Sequence, residues 1–204
     1  MSDLKIAVII SSTRDSRFGE KPAQWILDKA NAFDGISAEL VDLKDFDLPF
    51  FNEMASNLWM PSSDPKAVAW QNKIGEFDGY IFVVAEYNRS ITGALKNALD
   101  QAYVEWNKKP FGMVAYGSVG GTRAAEHLRT IGVELQMVST RSAVHIGGAD
   151  FFAVHPLGQQ NKPMSDLEGS IGAGAADMLS QLVWWGNATK SARQADAAGA
   201  KAAE

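Results

Sequence analysis

The sequence predicts an α/β fold in which a parallel β-sheet is covered by helices on both faces. Two apolar runs rich in β-branched residues, Leu4 to Ile10 and Ile81 to Val84, are typical of strands that are buried on both faces of a parallel sheet. Helical periodicity follows each run, and the alternation continues along the chain. Because a parallel strand is reached through a right-handed crossover, this alternation favours one sheet between two layers of helices.

The pattern of apolar residues predicts five strands and five helices. The predicted strands span residues 4–10, 36–43, 80–84, 111–116 and 143–146. The predicted helices span residues 20–33, 64–77, 91–106, 124–135 and 166–185, and the last of them is weakened by Gly169, Gly172 and Gly174. The strand at 36–43 alternates apolar and polar residues, so we expect it at or near a sheet edge.

The segments outside these elements carry three further expectations. The apolar loop at residues 44–61 is expected to pack under itself or against a partner subunit. The long connection at residues 147–165 is expected to act as a lid or an interface arm. Residues 191–204 are Ala-rich and polar, so we expect a frayed or disordered tail after a single domain at residues 1–190.

Composition and charge argue against several classes of function. With 19 Lys and Arg against 24 Asp and Glu, the formal net charge of −5 provides no broad attraction to nucleic acid or to anionic membranes. The chain has no cysteine, and its 3 histidines lack metal-ligand spacing, so we expect neither thiol chemistry nor a metal site. Any redox chemistry must therefore come from a bound cofactor. The short apolar run near the first residue lacks a basic leader, so a cytoplasmic location is expected.

Three polar loops follow predicted strands. The loop at 11–19 combines hydroxyl groups with Arg14 and Arg17 before a helix, where free N–H groups favour an anion such as phosphate. Helix capping with both arginines in solvent explains the same residues equally well. The loop at 86–90 brings together charge, an aromatic ring, an amide and hydroxyl groups, while the glycines at 117–123 admit a flat ligand or form a flexible turn.

These loops are expected to meet in one crevice. In a flavodoxin-like sheet of order 2-1-3-4-5, the first, third and fourth strands are neighbours, and the switch point lies between the first and third. The carboxyl ends of the strands share one edge, so the anion loop, the polar loop and the glycine loop converge there. This convergence favours a ligand site over the separate explanation of each loop.

The loop residues also resemble those of a known family. The motifs are Ser12-Thr13-Arg14 with Arg17-Phe18-Gly19, Glu86-Tyr87-Asn88-Arg89-Ser90 with Gly93 to Asp100, and Ser118 with Gly120-Gly121-Thr122-Arg123-Ala124. Together they resemble the NAD(P)H-dependent FMN reductases of flavodoxin-like fold, which include quinone, azo-dye and chromate reductases. The second motif is the most specific of the three. Ser11 and Ala85 depart from the family pattern, which usually has glycine and proline at these positions.

By this resemblance, the first loop holds the FMN phosphate and the other two loops hold the isoalloxazine ring. The implied phosphate residues are Ser12, Arg14, Arg17, Phe18 and Gly19. The implied ring residues are Glu86, Tyr87, Asn88 and Ser90, flanked by Ser118, Gly120 and Gly121. No dedicated acid or base is expected among the side chains, because the chemistry belongs to FMN.

The resemblance further implies an enzyme that passes a hydride from NADPH or NADH through bound FMN to a small acceptor, such as free flavin, a quinone, an azo compound or a metal oxyanion. It also implies a homodimer, or a tetramer, with the helix from Ile91 in the interface. A flavodoxin-type electron carrier without its own NAD(P)H turnover is the alternative, although such carriers tend to be strongly acidic and this net charge is only −5. A third hypothesis is a scaffold for protein interaction, which either binds FMN or has an empty pocket.

Overall fold

A parallel β-sheet between two layers of helices forms the body of the protein in the computed structural model, which describes residues 3–203 and the side chains of residues 3–200. The strands are β1 Leu4–Ile10, β2 Ile36–Asp42, β3 Gly79–Ala85, β4 Pro110–Tyr116, β5 Val138–Ser139 and β6 Val144–Ile146. Their order is β2-β1-β3-β4-β5, with β6 also paired to β4, and all these pairs are parallel. The predicted flavodoxin-like order is confirmed, and β2 lies at the edge.

Helices cover both faces of this sheet. They are α1 Glu20–Asn31, α2 Pro65–Gly75, α3 Gly93–Asp100, α4 Thr122–Glu134, α5 Gly148–Val154 and α6 Glu168–Ala203. Along β1, Ile6 and Val8 pack into the core with α1 and α6, whereas Ala7 and Ile9 pack into the core with α2, α3 and α4. Both faces of the central strands are therefore apolar, which is why these strands are continuous hydrophobic runs in the sequence.

The predicted fifth strand is split into two short strands. β5 pairs with the beginning of β4, and β6, which matches the predicted strand at 143–146, pairs with its end. Between them, the Thr140 hydroxyl donates to the carbonyl of Ser142 at 2.8 Å. A strand of two residues is too short to produce a periodic pattern, so the sequence indicated only the second part.

The helix predicted at 91–106 is shorter than expected. Thr92 caps α3 by accepting from the Leu95 N–H at 3.1 Å, and the helix ends at Asp100. The chain then turns back, and the buried Trp106 donates its indole N–H to the carbonyl of Leu99 at 3.3 Å. The apolar residues after α3 therefore pack into the same core as the helix. Their spacing continued the helical pattern in the sequence, so the predicted helix was longer than the observed one.

The two long connections both carry local structure. In the apolar segment at 44–61, Phe46 packs edge-on against Trp70 at 5.0 Å, but Phe50 and Trp59 are 86% and 78% exposed. The connection at 147–165 contains α5 and is tied to α1, since the Lys21 ammonium donates to the carbonyl of Val154 at 2.9 Å. The first connection thus presents apolar side chains to solvent, and the second is held against α1.

The chain after residue 190 continues as helix through Ala203, where the sequence predicted a frayed or disordered tail. Alanine has the highest helix propensity, and the first turns of this segment are attached to the body. The Asp78 carboxylate accepts from Lys190 at 2.8 Å and from Arg193 at 3.1 Å. The prediction of a frayed or disordered tail rested only on the lack of apolar residues, and it did not include this polar attachment. Residues 1, 2 and 204 lie outside the described part of the chain.

Replacing Asp78 by Asn should weaken the attachment of α6. The substitution leaves two partly buried cations without their carboxylate, so the free energy of unfolding should fall by about 1–3 kcal/mol in urea denaturation. Asp196→Asn is the control, because its pair with Lys108 is largely exposed and is expected to contribute less than about 1 kcal/mol. Equal losses in the two variants would contradict the role of Asp78.

Candidate functional site

A crevice of about 460 Å³ opens at the carboxyl ends of β1, β3 and β4. The three polar loops all contribute to it, as the parallel topology requires. Its lining residues are Arg14 and Ser16 from the first loop, Glu86 and Tyr87 from the second, Gly117 and Ser118 from the third, Ala85 and Tyr116 at the ends of β3 and β4, and Phe151, His155, Pro156 and Leu157 from the connection after β6.

The first loop provides main-chain donors. Within the described residues, the N–H groups of residues 12–16 donate to no protein acceptor, whereas the flanking Ser11 N–H bonds to Val83 and the Arg17 N–H bonds to Arg14. Consecutive free N–H groups just before a helix form a cradle for an anion. The Arg14 guanidinium lies 5.2 Å from the centre of the Tyr87 ring, and the Ser12 and Tyr87 hydroxyls are 3.3 Å apart. The first and second loops are therefore in contact.

Arg17 has different partners from those that the resemblance implied. Its side chain is only 7% exposed and forms a two-pronged pair with Asp42, including a bond of 2.8 Å from Nη1. The remaining N–H groups donate to Glu20 and to the carbonyl of Ser12 at 3.0 Å. All five donors of the guanidinium are thus used, and Arg17 fixes the end of β2 and the first loop rather than facing the crevice.

Phe18 and Gly19 lie behind the first loop. The buried Phe18 ring meets the Tyr116 ring edge-on at 5.1 Å between centroids. A β-carbon added at Gly19 would lie 2.9 Å from the Tyr116 hydroxyl. Burial also raises the pKa of that hydroxyl, which therefore stays protonated. Phe18 and Gly19 therefore support the first loop from behind, and neither of them lines the crevice.

The second loop is a tight hairpin turn. Tyr87 and Ser90 exchange main-chain hydrogen bonds of 2.9 and 3.0 Å, and the two residues between them, Asn88 and Arg89, have φ values of 49° and 71°. Positive φ at both central positions defines a type I′ turn, in which asparagine is well tolerated. The Ser90 hydroxyl lies 2.7 Å from Nδ1 of His127 on α4. The turn is therefore held by its own main-chain hydrogen bonds and by the contact of Ser90 with His127.

Glu86 joins the second loop to the third. Its carboxylate is only 6% exposed, accepts from the Arg123 main-chain N–H at 3.1 Å and is paired with the Arg123 guanidinium. This carboxylate satisfies free donors at the start of α4, where the helix dipole also favours negative charge. Glu86 lies at the crevice wall, but its acceptor oxygens are directed to Arg123 and α4.

The third loop depends on glycine. Gly120 and Gly121 have φ values of 79° and 64°, and a β-carbon at Gly121 would lie 2.6 Å from the main-chain nitrogen of Tyr116. Only glycine fits this approach without strain. The carbonyl of Gly120 lies 2.9 Å from Nδ1 of His145. Ser118 lines the crevice beside these glycines, and its carbonyl accepts from Gly148 at 3.0 Å.

The connection after β6 forms a fourth wall that the sequence analysis did not assign to the site. Phe151, His155 and Leu157 line the crevice together with the first loop. The signal available in the sequence was the group of aromatic residues and a histidine in a long connection. Nothing local shows which side of the sheet that connection covers.

A family model described as NADPH-dependent FMN reductase matches residues 4–150, which include all three loops. The chain belongs to the NADPH-dependent FMN reductase family. This membership supports FMN-dependent oxidoreduction with NAD(P)H. The relatives include an NAD(P)H-dependent FMN reductase from a Nectria species, 36% identical over 130 residues, and an NAD(P)H:quinone oxidoreductase from Solanum tuberosum, 43% identical over 108 residues. The matches cover 61% and 50% of this chain and 65% and 53% of those relatives, so each spans less than two thirds of the relative's length.

Solved structures of this fold cover nearly the whole chain. The flavoenzyme FerB from Paracoccus denitrificans superposes with a TM-score of 0.59 at 24% identity, covering 87% of this chain and 98% of FerB. RosB superposes with a TM-score of 0.68 at 16% identity, covering 98% of this chain and 88% of RosB. At these identities, the likeness shows the fold alone. Although α6 has 36 residues, no helix in the described range is apolar enough over its length to span a bilayer.

The crevice fits the FMN that this family uses. The N–H groups of residues 12–16 match the needs of a phosphate, and the glycine loop admits a flat ring system. Ser11, at the start of the cradle, has a fully buried hydroxyl that finds no hydrogen-bond partner among the described residues. A buried hydroxyl without an acceptor is costly, and a phosphate in the cradle is an acceptor of the right chemistry.

Replacing Glu86 by Gln should separate the second and third loops. The substitution leaves the Arg123 guanidinium without its carboxylate, so we expect a loss of about 2–3 kcal/mol in the free energy of unfolding and weaker retention of FMN on gel filtration. Glu126→Gln is the control, because Glu126 is exposed and pairs only with Arg129 on the same helix. Unchanged stability and FMN retention in Glu86→Gln would contradict the bridging role.

Proposed function

We propose that this protein is an NAD(P)H-dependent reductase that uses bound FMN to reduce a small acceptor. The observation that carries the proposal is the meeting of the N–H cradle, the hairpin turn and the glycine loop around one crevice. When bound, FMN supplies the redox step, accepting a hydride from NAD(P)H and passing the electrons on. Residues 1–190 act as one FMN-binding domain in this proposal, and a cytoplasmic location stays a prediction.

The residues of the first loop bind the phosphate in this proposal. Ser12, Arg14 and the N–H groups of residues 12–16 are its direct ligands in this proposal, since these N–H groups donate to no acceptor among the described residues and Arg14 and Ser16 line the crevice. Arg17, Phe18 and Gly19 act by holding the loop, because their side chains or α-carbons are committed to Asp42 and Tyr116. The implied direct contact of Arg17 with phosphate is therefore replaced by a positioning role.

The second and third loops hold the flavin ring. The main-chain N–H groups of Asn88, Arg89 and Ser118 donate to no acceptor among the described residues, so they are available to the polar edge of the ring. Donors at that edge stabilise negative charge, by the same physics as an oxyanion hole. Tyr87 and Gly120 shape the space, and Glu86 and Gly121 keep the two loops at a fixed separation.

The acceptor is proposed to be a small molecule, with quinones as the best-supported class. Support comes from the named relatives, which include a 2-hydroxy-1,4-benzoquinone reductase from a Burkholderia species as well as the quinone oxidoreductase from Solanum tuberosum. Free flavin, azo compounds and metal oxyanions are further acceptors in this proposal, with either NADPH or NADH as reductant.

Anaerobic addition of NADPH or NADH to the FMN-loaded protein should bleach the flavin absorbance, and adding a quinone should restore it. This outcome follows from a ring that is held by main-chain donors and open at the crevice. Steady-state NAD(P)H oxidation with a quinone measures turnover. An FMN-loaded protein that stays oxidised with both nucleotides would be an electron carrier and would contradict the reductase proposal.

The exposed apolar segment supports a homodimer, or a tetramer built from such dimers. Phe50, Met54 and Trp59 are exposed to solvent, and Phe50 lines a cavity of about 470 Å³ together with Gly93 and Asn97 of α3. Exposed apolar patches of this kind mark interaction surfaces. In this proposal, the partner covers the segment and α3 beside the cofactor crevice.

Replacing Phe50 and Trp59 together by Ser should shift the protein toward monomer. Losing two large apolar contacts on each side removes several kcal/mol of association free energy, so the dimer dissociation constant should rise at least about 100-fold in sedimentation experiments. Val133→Ser, an exposed substitution on α4, should leave the mass unchanged. A wild-type protein that sediments as an FMN-bound monomer would disprove the homodimer.

A further inference from the structure

His155 lies in the fourth wall of the crevice, whose lining also includes Arg14 and Ser16 of the first loop. Its ring is fixed by two aromatic neighbours, with centroids 4.6 Å from Phe151 and 5.0 Å from Phe18. Phe18 itself follows the first loop, so the imidazole is packed against the base of that loop. The family model ends at residue 150, before this wall begins.

One nitrogen of the imidazole is already used. Nδ1 accepts a hydrogen bond of 3.1 Å from the main-chain N–H of Leu157. In the neutral ring this bond places the proton on Nε2, which becomes the donor. Nε2 has no partner among the described residues, so it is the polar atom that His155 can offer to a ligand in the crevice.

The charges around His155 favour an anion. Burial is the largest cause of the lowered pKa of the imidazole, and the positive charges of Arg14 and Lys21 lower this pKa further. Lys21 on α1 is engaged with Val154 and Asn161, whereas Arg14 lines the crevice. The carboxylate that faces this space, Glu86 after β3, is paired with Arg123, and Tyr116 on β4 stays protonated because burial raises its pKa.

We propose that His155 is a phosphate ligand: its Nε2–H donates to the FMN phosphate from the fourth wall of the crevice, and FMN binding is accompanied by proton uptake at this imidazole. The inference rests on the proposed function, because it requires FMN in the crevice. It assigns a binding residue outside the three loops and couples cofactor affinity to pH.

The direction of the pH dependence follows from linkage. In the free protein the lowered pKa keeps His155 neutral near pH 7. A phosphate dianion beside the ring favours the imidazolium, so the pKa in the complex is higher than in the free protein. Affinity for FMN is then constant above the pKa of the complex and rises as the pH falls through it, until the free imidazole also becomes protonated. Since the phosphate takes up its own proton near about pH 6, the range to examine lies above that value.

The first test measures FMN affinity by quenching of flavin fluorescence at about pH 6.5 and about pH 8.5. FMN should bind wild-type protein about two- to fivefold more tightly at the lower pH, because a one-unit rise from a free-protein pKa below the usual 6.5 reaches its tenfold limit only below both pKa values. His155→Gln, whose amide oxygen can still accept from Leu157, should lose this dependence. Riboflavin, which lacks the phosphate, should bind both proteins with one affinity at both pH values. His145→Gln is the matched control and should keep the dependence on pH, because His145 lies outside the lining of the crevice.

A second measurement uses the unaltered chain. It has only 3 histidines, so their imidazole NMR signals can be assigned from single His→Gln variants and titrated with and without FMN. The pKa of His155 should rise by about one unit when FMN binds, which corresponds to the tenfold limit of the change in affinity.

The outcomes separate this inference from the function on which it rests. FMN affinity with the same pH dependence in wild type and His155→Gln, or equal weakening of FMN and riboflavin in the variant, would overturn the phosphate role and leave the reductase proposal standing. A His155 pKa that does not change when FMN binds would also overturn the phosphate role and leave the reductase proposal standing. A protein that binds neither flavin would overturn both proposals.

Discussion

The buried carboxylate of Glu86 holds together the two loops that form the ring side of the crevice. It follows β3, whereas its partners, the guanidinium and main-chain N–H of Arg123, belong to the beginning of α4. Removing this carboxylate from water is favourable only because a cation and helix donors surround it. This carboxylate therefore helps to position the hairpin turn and the glycine loop relative to each other, together with the contact between Ser90 and His127 on α4.

The first loop is attached to the same assembly by separate contacts. Thr92, at the start of α3, donates to the carbonyl of Ser11 at 2.8 Å, and Ser12 reaches the hydroxyl of Tyr87. On the other side, Arg17 joins the loop to Asp42 at the end of β2. These bonds arrange the cradle in the protein itself, so less ordering remains to be done when an anion binds.

Local patterns in the sequence were sufficient for the fold class, because continuous apolar runs and helical periodicity report burial directly, whereas the predicted strand order came from the flavodoxin-like fold. They were insufficient where distant residues decide the structure. β5 is two residues long and exists because β4 offers it a partner, α3 ends early because Trp106 folds back onto Leu99, and α6 is attached near residues 190–193 through Asp78. Each of these features depends on contacts that no periodic pattern contains.

The sequence by itself determined that the three loops converge on one crevice, since parallel strands place their carboxyl ends at one edge. Arg14, Tyr87 and Ser118 all line it as that topology requires. Only the tertiary structure decided that Arg17 is paired with Asp42 and that His155, from the connection after β6, lines the crevice. The physical reason is that a side chain takes its role from the partners that desolvate and pair it, and those partners come from parts of the chain that local sequence does not connect.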